Sequence, residues 1–425
     1  MNTKLIVMSI DGLVREDVEE MQKSPIWKKY FSNASGVKEV RSVYPTITYV
    51  CHTTMSTGVW PEKHGVTGNL LFRPGERNAP WKWFREDNLW EDDIFYAAKR
   101  AGKTTAAIFW PVTGNHPAID YLIDEYWPQS EQDTPLEAFA RTGSSPEVLE
   151  IIKENIENVV IRTHPGTDDF MARCACSFIK KFQPDLLMMH PGQVDGYRHR
   201  HGTFSAEASR GVEEGLMHLE QIMETLESEN LTDVYNVVVV SDHGLFDYKK
   251  EVSINALFRQ AGLIQIDEDG EWIDWDACCV SGGGSALIYV NPKAEEDVYH
   301  QVSKIIYDAA KEENYGIGEV LTREQAKARY HLDGNFVFAL ESNGEIAFSE
   351  IATGDVILKS CCKACHGHQP EKGPQPVFFA VGPDFKKDVW LENGRLVDEA
   401  PTYAKILGIQ LKDADGKAIE ELLKK

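Results

Sequence analysis

The chain has no long apolar run, no basic tract and no cysteine spacing that would build a disulfide framework. Each absence removes a class of protein. No stretch approaches the roughly 20 consecutive apolar residues of a membrane-spanning helix, so no membrane span is expected. Lysine and arginine number 44 against 67 aspartates and glutamates, a formal charge of −23, and no basic run offsets it. Such a surface repels polyanions. Neither a nucleic-acid polymer nor an anionic membrane is an expected partner, although a small anion can still reach a local positive site. The cysteines are adjacent pairs and scattered singles: Cys51, Cys174, Cys176, Cys278, Cys279, Cys361, Cys362 and Cys365. They are expected to be reduced thiols. "MNTKLIVMSI" carries one lysine and an apolar run that Asp11 interrupts before a secretory core is complete. A cytoplasmic location is therefore the expectation. Internal repeats and low-complexity segments are also missing.

What is present fits a globular α/β protein. The 425 residues allow one large domain with insertions or two or three smaller ones, and 42% are hydrophobic, enough for a sizeable core. Six apolar, β-branched runs read as buried strands: Leu5–Ile10, Thr104–Phe109, Leu186–His190, Val237–Val240, Ala286–Val290 and Val377–Val381. Helical patterns lie between them, over Asp92–Arg100 and Ala206–Ser228 for example. This alternation predicts a mostly parallel sheet with helices on both faces. Two regions break it, at about residues 115–167 and 266–360. The first is rich in Pro, Asp and Glu, with a helix near Val148–Val159. The second carries "DEDGEWIDWD" and short strand-like pieces. Both read as lid or subdomain insertions.

Three of the strands are followed by metal-binding residue types. "LIVMSID" ends in Asp11, "LLMMHPGQVDGYRH" delivers Asp195 and His199, and "VVVVSDHG" ends in Asp242 and His243. Ligands of open α/β sheets bind beyond the carboxyl ends of strands. Asp195 and His199 stand at i and i+4, one face of a helical turn. Asp242 and His243 can reach one ion if the chain turns there, which Gly244 permits. Any one of these aspartates alone is an ordinary helix cap. Together they suit zinc or manganese, since three aspartates without a cation would repel one another.

"YPTITYVCHTTMSTGVWPEKHGVTGN" (44–69) offers a nucleophile. Pro45 and the β-branched residues after it keep the chain extended. Tyr49–Thr57 reads as a helix closed by Gly58, with Thr48 at its N-cap. A hydroxyl there is either a plain cap or part of a phosphate site at the positive helix end. "SGGGS" (281–285) lacks the lysine of a P-loop and reads as a loop entering a strand. His64 and His116 read as hydrogen-bonded structural histidines. In "CCKACHGHQP", Cys362, Cys365 and His366 spell C-x-x-C-H, the attachment pattern of c-type haem. The same stretch offers His366 and His368 as metal ligands.

In chain order, "MSIDGL", "YPTITYVCHTTMSTGVWPEKHGVTGN", "VDGYRHRHG", "SDHG" and "HGHQP…FFAVGP" resemble the motifs of the type I phosphodiesterase/nucleotide pyrophosphatase family, within the alkaline phosphatase superfamily. They span residues 8–383. The resemblance implies a single alkaline phosphatase-like catalytic domain over residues 1–425, holding two divalent ions, zinc or else manganese. It implies Asp11, Thr48, Asp242 and His243 around one ion, and Asp195, His199 and His366 around the other. Thr48 matches the nucleophile that becomes phosphorylated, and Asn69 the amide on a non-bridging phosphoryl oxygen. Tyr49 matches the aromatic that stacks on a base. His366 takes the last ligand position, with His368 as its competitor, and Cys362 and Cys365 become bystanders. The family's Pro-Asn after the nucleophile motif is replaced here by Val50-Cys51. The expected reaction is cleavage of phosphodiester or pyrophosphate bonds in small anionic, phosphate-containing substrates such as nucleotides. The rivals are a phosphonate hydrolase of the phosphonoacetate hydrolase kind, a phosphomonoesterase or a phosphomutase. From other classes, a c-type haem protein and a metal-binding module without turnover remain.

Overall fold

The computed structural model describes residues 3–76, 78–295 and 297–424. Its centre is an eight-stranded sheet in the order Trp390–Arg395, Ser35–Arg41, Phe378–Val381, Tyr235–Val240, Lys4–Ser9, Leu186–Met189, Thr105–Ile108, Tyr121–Ile123. The five strands from Tyr235–Val240 to Tyr121–Ile123 run parallel. Phe378–Val381 runs antiparallel to both of its neighbours, a direction its apolar run does not encode.

Strand alternation explains the unbroken apolar runs. Ile6, Met8, Leu187, Met189, Val237 and Val239 face one core, packed with the helices Gly166–Lys181 and Ala206–Ser228. Leu5, Val7, Leu186, Met188, Val238 and Val240 face the other, with the helices Thr48–Thr57, Ile94–Arg100 and Glu399–Leu407. Both faces are covered by packed side chains, and each fully buried Val or Leu contributes about 1.5–3 kcal/mol. Ala206–Ser228 starts where Ser205 Oγ accepts from the Ala208 N–H (3.1 Å), and its buried residues recur three and four apart. Asp93 caps Ile94–Arg100 in the same way, through the Tyr96 N–H at 2.9 Å.

Ser285–Val290, whose run Ala286–Val290 reads as a buried strand inside the 266–360 insertion, lies in a separate four-stranded antiparallel sheet with Ala277–Ser281, Phe338–Ser342 and Ile317–Thr322. That sheet has its own core, including Val252, Phe258, Ile288, Val302 and Leu340. An apolar strand run carries no label saying which sheet it joins. Residues 115–167 supply the edge strand Tyr121–Ile123 and the helices Pro135–Arg141 and Pro146–Asn155. All eight cysteines are free thiols. Among the described residues no helix is long and apolar enough to cross a membrane.

Candidate active site

Lys4–Ser9, Leu186–Met189 and Tyr235–Val240 are adjacent and parallel, so their carboxyl ends meet at one sheet edge. Asp11, His190 and Asp242-His243 follow directly. Asp195 and His199 come from the helix Gln193–His201, one turn apart. Backbone contacts lock the edge: the Asp195 N–H donates to Asp11 O (3.2 Å) and the Gly12 N–H to Asp242 Oδ1 (3.2 Å). Gly244 does not adopt a left-handed conformation; it is needed because a Cβ there would collide with Pro374 O.

Two groups result, Asp11/Asp242/His243 and Asp195/His199/His366, each with ligand atoms within 4.8 Å of one another. His243 Nε2 lies 3.1 Å from Asp242 Oδ2 and 3.6 Å from Asp11 Oδ1. His199 Nε2 lies 3.3 Å from Asp195 Oδ1, and His366 Nε2 4.0 Å from the same oxygen. The His243 and His366 rings stack at 4.0 Å, so the groups adjoin. His366 is aimed by its backbone partner: Nδ1 donates to Thr46 O at 3.0 Å, leaving Nε2 for the cluster. His368 turns away, its Nε2 donating to Lys372 O at 2.8 Å. The structure thus brings His366, not His368, to this group. Cys362 and Cys365 sit in a small apolar cluster with Tyr248 and Ala347. With His366 committed to Thr46 and Asp195, the C-x-x-C-H residues do not converge on one prosthetic group.

The "SGGGS" loop seats the His366 segment. The Gly284 N–H donates to His366 O (2.7 Å), and a Cβ on Gly367 (φ 92°) would collide with Gly282 O.

Thr48 is the first residue of the helix Thr48–Thr57, whose N-cap is Ile47 rather than Thr48 as expected. The one-residue shift frees the Thr48 hydroxyl from capping. Its Oγ1 lies 3.3 Å from His243 Nε2. All ten residues of this helix are buried, and two of its hydroxyls turn back on its own carbonyls: Thr53 Oγ1 donates to Tyr49 O (2.6 Å) and Thr57 Oγ1 to Thr53 O (2.7 Å). Asn69 Oδ1 accepts from the Tyr49 N–H at 3.0 Å, which leaves the Asn69 amino group as a donor. Tyr49 departs from its expected role. Its ring is fully buried, packed edge-on to Trp81 at 5.3 Å, and offers no face for stacking. Trp81 instead lines the cavity of about 300 Å3 that also touches Asn69, His199 and His366.

Burial pushes the Asp11 and Asp242 carboxyls well above their usual range, each reinforced by a neighbouring carboxylate. Burial also holds His243 well below the usual imidazole range and takes His366 down to about 4. His199 is opposed by burial, but the Asp195 carboxylate outweighs it and lifts the imidazole to about 9. Asp11 Oδ1, Asp195 Oδ1 and Asp242 Oδ2 are buried and accept no hydrogen bond. An orphaned buried acceptor costs about 1–3 kcal/mol, more if charged. Cations at these atoms relieve that cost, and the Asp/His donor sets fit zinc and manganese.

Two neighbours escaped sequence reasoning. His190 Nε2 donates to Asp11 Oδ2 (3.0 Å), and His52 Nδ1 donates to Thr48 O (2.8 Å) while its Nε2 accepts from Ser9 Oγ (2.9 Å). His190 stands at a strand end like the others, and His52 one turn after Thr48, so both carried a readable signal. His64 and His116 are structural: His64 Nε2 meets Thr54 Oγ1 (3.0 Å), and His116 Nε2 donates to Asp93 (2.9 Å).

A parallel sheet that gathers acidic and imidazole ligands beyond its strand ends, beside a buried threonine, defines an alkaline phosphatase-like α/β core. The model of the type I phosphodiesterase/nucleotide pyrophosphatase family matches residues 5–358, and the chain belongs to that family. Naja atra venom phosphodiesterase is 25% identical over 403 residues, 90% of this chain and 41% of that protein. Human ectonucleotide pyrophosphatase/phosphodiesterase family member 1 is 22% identical over 251 residues, 56% of this chain and 23% of that protein. The chain thus matches well under half the length of these relatives. Murine ectonucleotide pyrophosphatase/phosphodiesterase 5 shares the fold at a TM-score of 0.70 and 18% identity, over 99% of this chain and 100% of that one. An inactive threonine-to-alanine form of it, solved in complex with AMP, matches at 0.70 and 19%.

Proposed function

We propose that this chain hydrolyses phosphodiester or pyrophosphate bonds of small phosphate-containing substrates, nucleotides among them, through a phospho-threonine at Thr48. The observation that carries this reading is the position of the Thr48 hydroxyl, 3.3 Å from His243 Nε2 where the two ligand groups adjoin. Asp11, Thr48, Asp242 and His243 would hold one divalent ion, and Asp195, His199 and His366 the other. When bound, such ions supply Lewis-acid charge to the attacking and departing oxygens.

The chain's own residues supply position. Thr48 Oγ1 gives up its proton to solvent and forms a bond to phosphorus as the bond to the departing oxygen breaks, and that oxygen takes a proton from solvent. The Asn69 amino group donates to a non-bridging oxygen, its carbonyl being held by the Tyr49 N–H. Water then attacks the phospho-threonine, the Oγ1–P bond breaks, and Thr48 recovers its proton. Trp81 walls the cavity beside an aryl or nucleoside group. Among the described residues no lysine or arginine lines this cavity, which favours a singly charged diester over a dianionic monoester.

Acid-quenched turnover of bis-p-nitrophenyl phosphate by the metal-loaded protein should leave a p-nitrophenyl phosphoryl group on the Thr48 peptide in mass spectrometry. Thr48→Ala should keep fold and metal but lose nearly all turnover, and Thr48→Ser should retain part of it. Normal turnover by Thr48→Ala, with net inversion at a chiral phosphorus, would mean direct attack by water and end the reading.

A further inference from the structure

We propose that Arg198 and Asp17 form a buried clamp that fixes the spacing between the two ligand groups, which makes both of them positioning residues for phosphoryl transfer. This deepens the hydrolase reading above and rests on it. Arg198 stands on the helix Gln193–His201, three residues after Asp195 and one before His199. Its side chain crosses from that helix to the turn after Asp11. Nη1 donates to Gly12 O (2.5 Å), and Nη2 donates to both carboxylate oxygens of Asp17 (2.7 and 2.8 Å). Asp17 lies in the first turn of the helix Arg15–Met21, and its Oδ2 also accepts from the Val14 N–H at 2.8 Å. One carboxylate thus closes the turn and aims the guanidinium.

Gly12 is the point where the two groups are joined. Its N–H donates to Asp242 Oδ1, in the group with Asp11 and His243. Its carbonyl accepts from Arg198, on the helix that carries Asp195 and His199 of the other group. A second tie runs from the Asp195 N–H to Asp11 O. The helix is therefore held to the turn at two points about one helical turn apart. It cannot slide or rotate against the turn without breaking one of them. With a single tie it could pivot, and the two groups would move relative to each other.

Stability does not account for the pair. Arg198 has no exposed surface and Asp17 is 8% exposed. Taking two charges out of water is barely offset by their attraction, and packed apolar side chains of like volume would hold the core as well or better. What apolar side chains cannot do is fix a register. A planar fork with donors in set directions does. Neither residue is in a ligand group or lines the site cavity, so both act through the residues they hold. The two groups adjoin at the His243 and His366 rings. In-line transfer between them needs the attacking and departing oxygens aligned, and a misplacement of about 1 Å costs on the order of 100-fold.

Two variants test the clamp. Arg198→Lys keeps the charge but replaces the fork by a single ammonium. The double variant Asp17→Asn/Arg198→Met removes both charges together and leaves no unpaired one in the core. Loaded with Mn2+, both should still bind two ions per chain by elemental analysis. With bis-p-nitrophenyl phosphate, kcat per bound ion pair should fall about 100-fold in the double variant and about tenfold in Arg198→Lys, with KM within about twofold. Electron paramagnetic resonance should show two magnetically coupled Mn2+ ions in wild type, and weaker coupling in both variants with both ions still bound. A purely structural role would instead lower bound metal and kcat in equal proportion and leave the coupling of the folded remainder unchanged. Arg198→Lys carries the test if the double variant does not fold. That structural pattern, or wild-type kcat per ion pair in the variants, or an absence of coupling in wild type, overturns the clamp and leaves the hydrolase reading standing. If wild type with two ions bound does not cleave the diester, that reading falls and takes the positioning role with it.

Discussion

Glu341 makes a prediction whose size follows from the structure. It lies on the strand Phe338–Ser342 with no exposed surface. Its Oε1 accepts from the Gln369 N–H (2.9 Å) and from Lys372 Nζ (3.0 Å), while Oε2 has no partner. Burial pushes its carboxyl from 4.5 up to about 7, and the Gln369 and Lys372 donors only partly oppose it. The folded chain therefore keeps this proton to higher pH than the unfolded chain does. The contribution is fully present below the unfolded value, and it is lost as pH rises through the folded one. Integrating between 4.5 and 7, the loss from about pH 5.5 to pH 8.5 comes to about 2 kcal/mol.

Glu341→Gln removes this titration and keeps an oxygen for the Gln369 N–H. Lys372 is 41% exposed, so its lost ion pair matters by about 1 kcal/mol or less. Urea denaturation of both proteins across this pH range should show the variant gaining on wild type by about 2 kcal/mol as pH rises. Titrations at the Asp/His clusters are common to both proteins and cancel in the difference. A flat difference, or wild type gaining on the variant, would refute the reasoning. Gln369 is three residues from His366, so the titration also bears on the segment that carries His366.

Asn69→Ala should lower kcat about 100-fold with little change in stability, because a donor to the transition-state oxygen is lost. Asn69→Asp keeps the acceptor for the Tyr49 N–H yet should lose as much, which assigns the effect to the amino group; full activity in either variant refutes it. Replacing Cys362 and Cys365 together by serine should leave metal content and turnover intact, whereas His366→Ala should lose one metal ion per chain by elemental analysis. Loss of metal in the cysteine double variant, with none in His366→Ala, reverses that assignment.

The strand-end Asp/His clusters were legible because two short-range rules coincide at them. A run buried on both faces marks a parallel central strand, and the residue after it must leave the sheet at the edge where ligands bind. Asp11 and Asp242-His243 satisfy both rules, and Asp195 and His199 follow on the helix Gln193–His201 that leaves the same edge. His190 satisfies them too, yet it pairs with Asp11 outside both clusters, and position alone does not separate the two places. What stayed hidden was set by longer-range contacts. Thr48 moved one place into its helix because the chain before it pairs with His366–His368: Thr46 O accepts from the Gly367 N–H (2.9 Å), and Thr46 Oγ1 donates to His368 O (2.9 Å). That same pairing separates His366 from His368.

Tyr49 shows why chemistry is easier to read than selectivity. Its place beside Thr48 is a matter of chain order and holds in any fold of this sequence. Whether its ring faces substrate depends on Trp81, and Trp81 depends in turn on Trp127, 5.5 Å away, over which the Arg162 guanidinium lies at 4.0 Å. Each link is a tertiary contact with no period and no motif. A reaction needs a few atoms of fixed chemical type at fixed places, which short motifs can encode. Choosing among substrates needs a shaped surface, and only the packing of distant segments can make one.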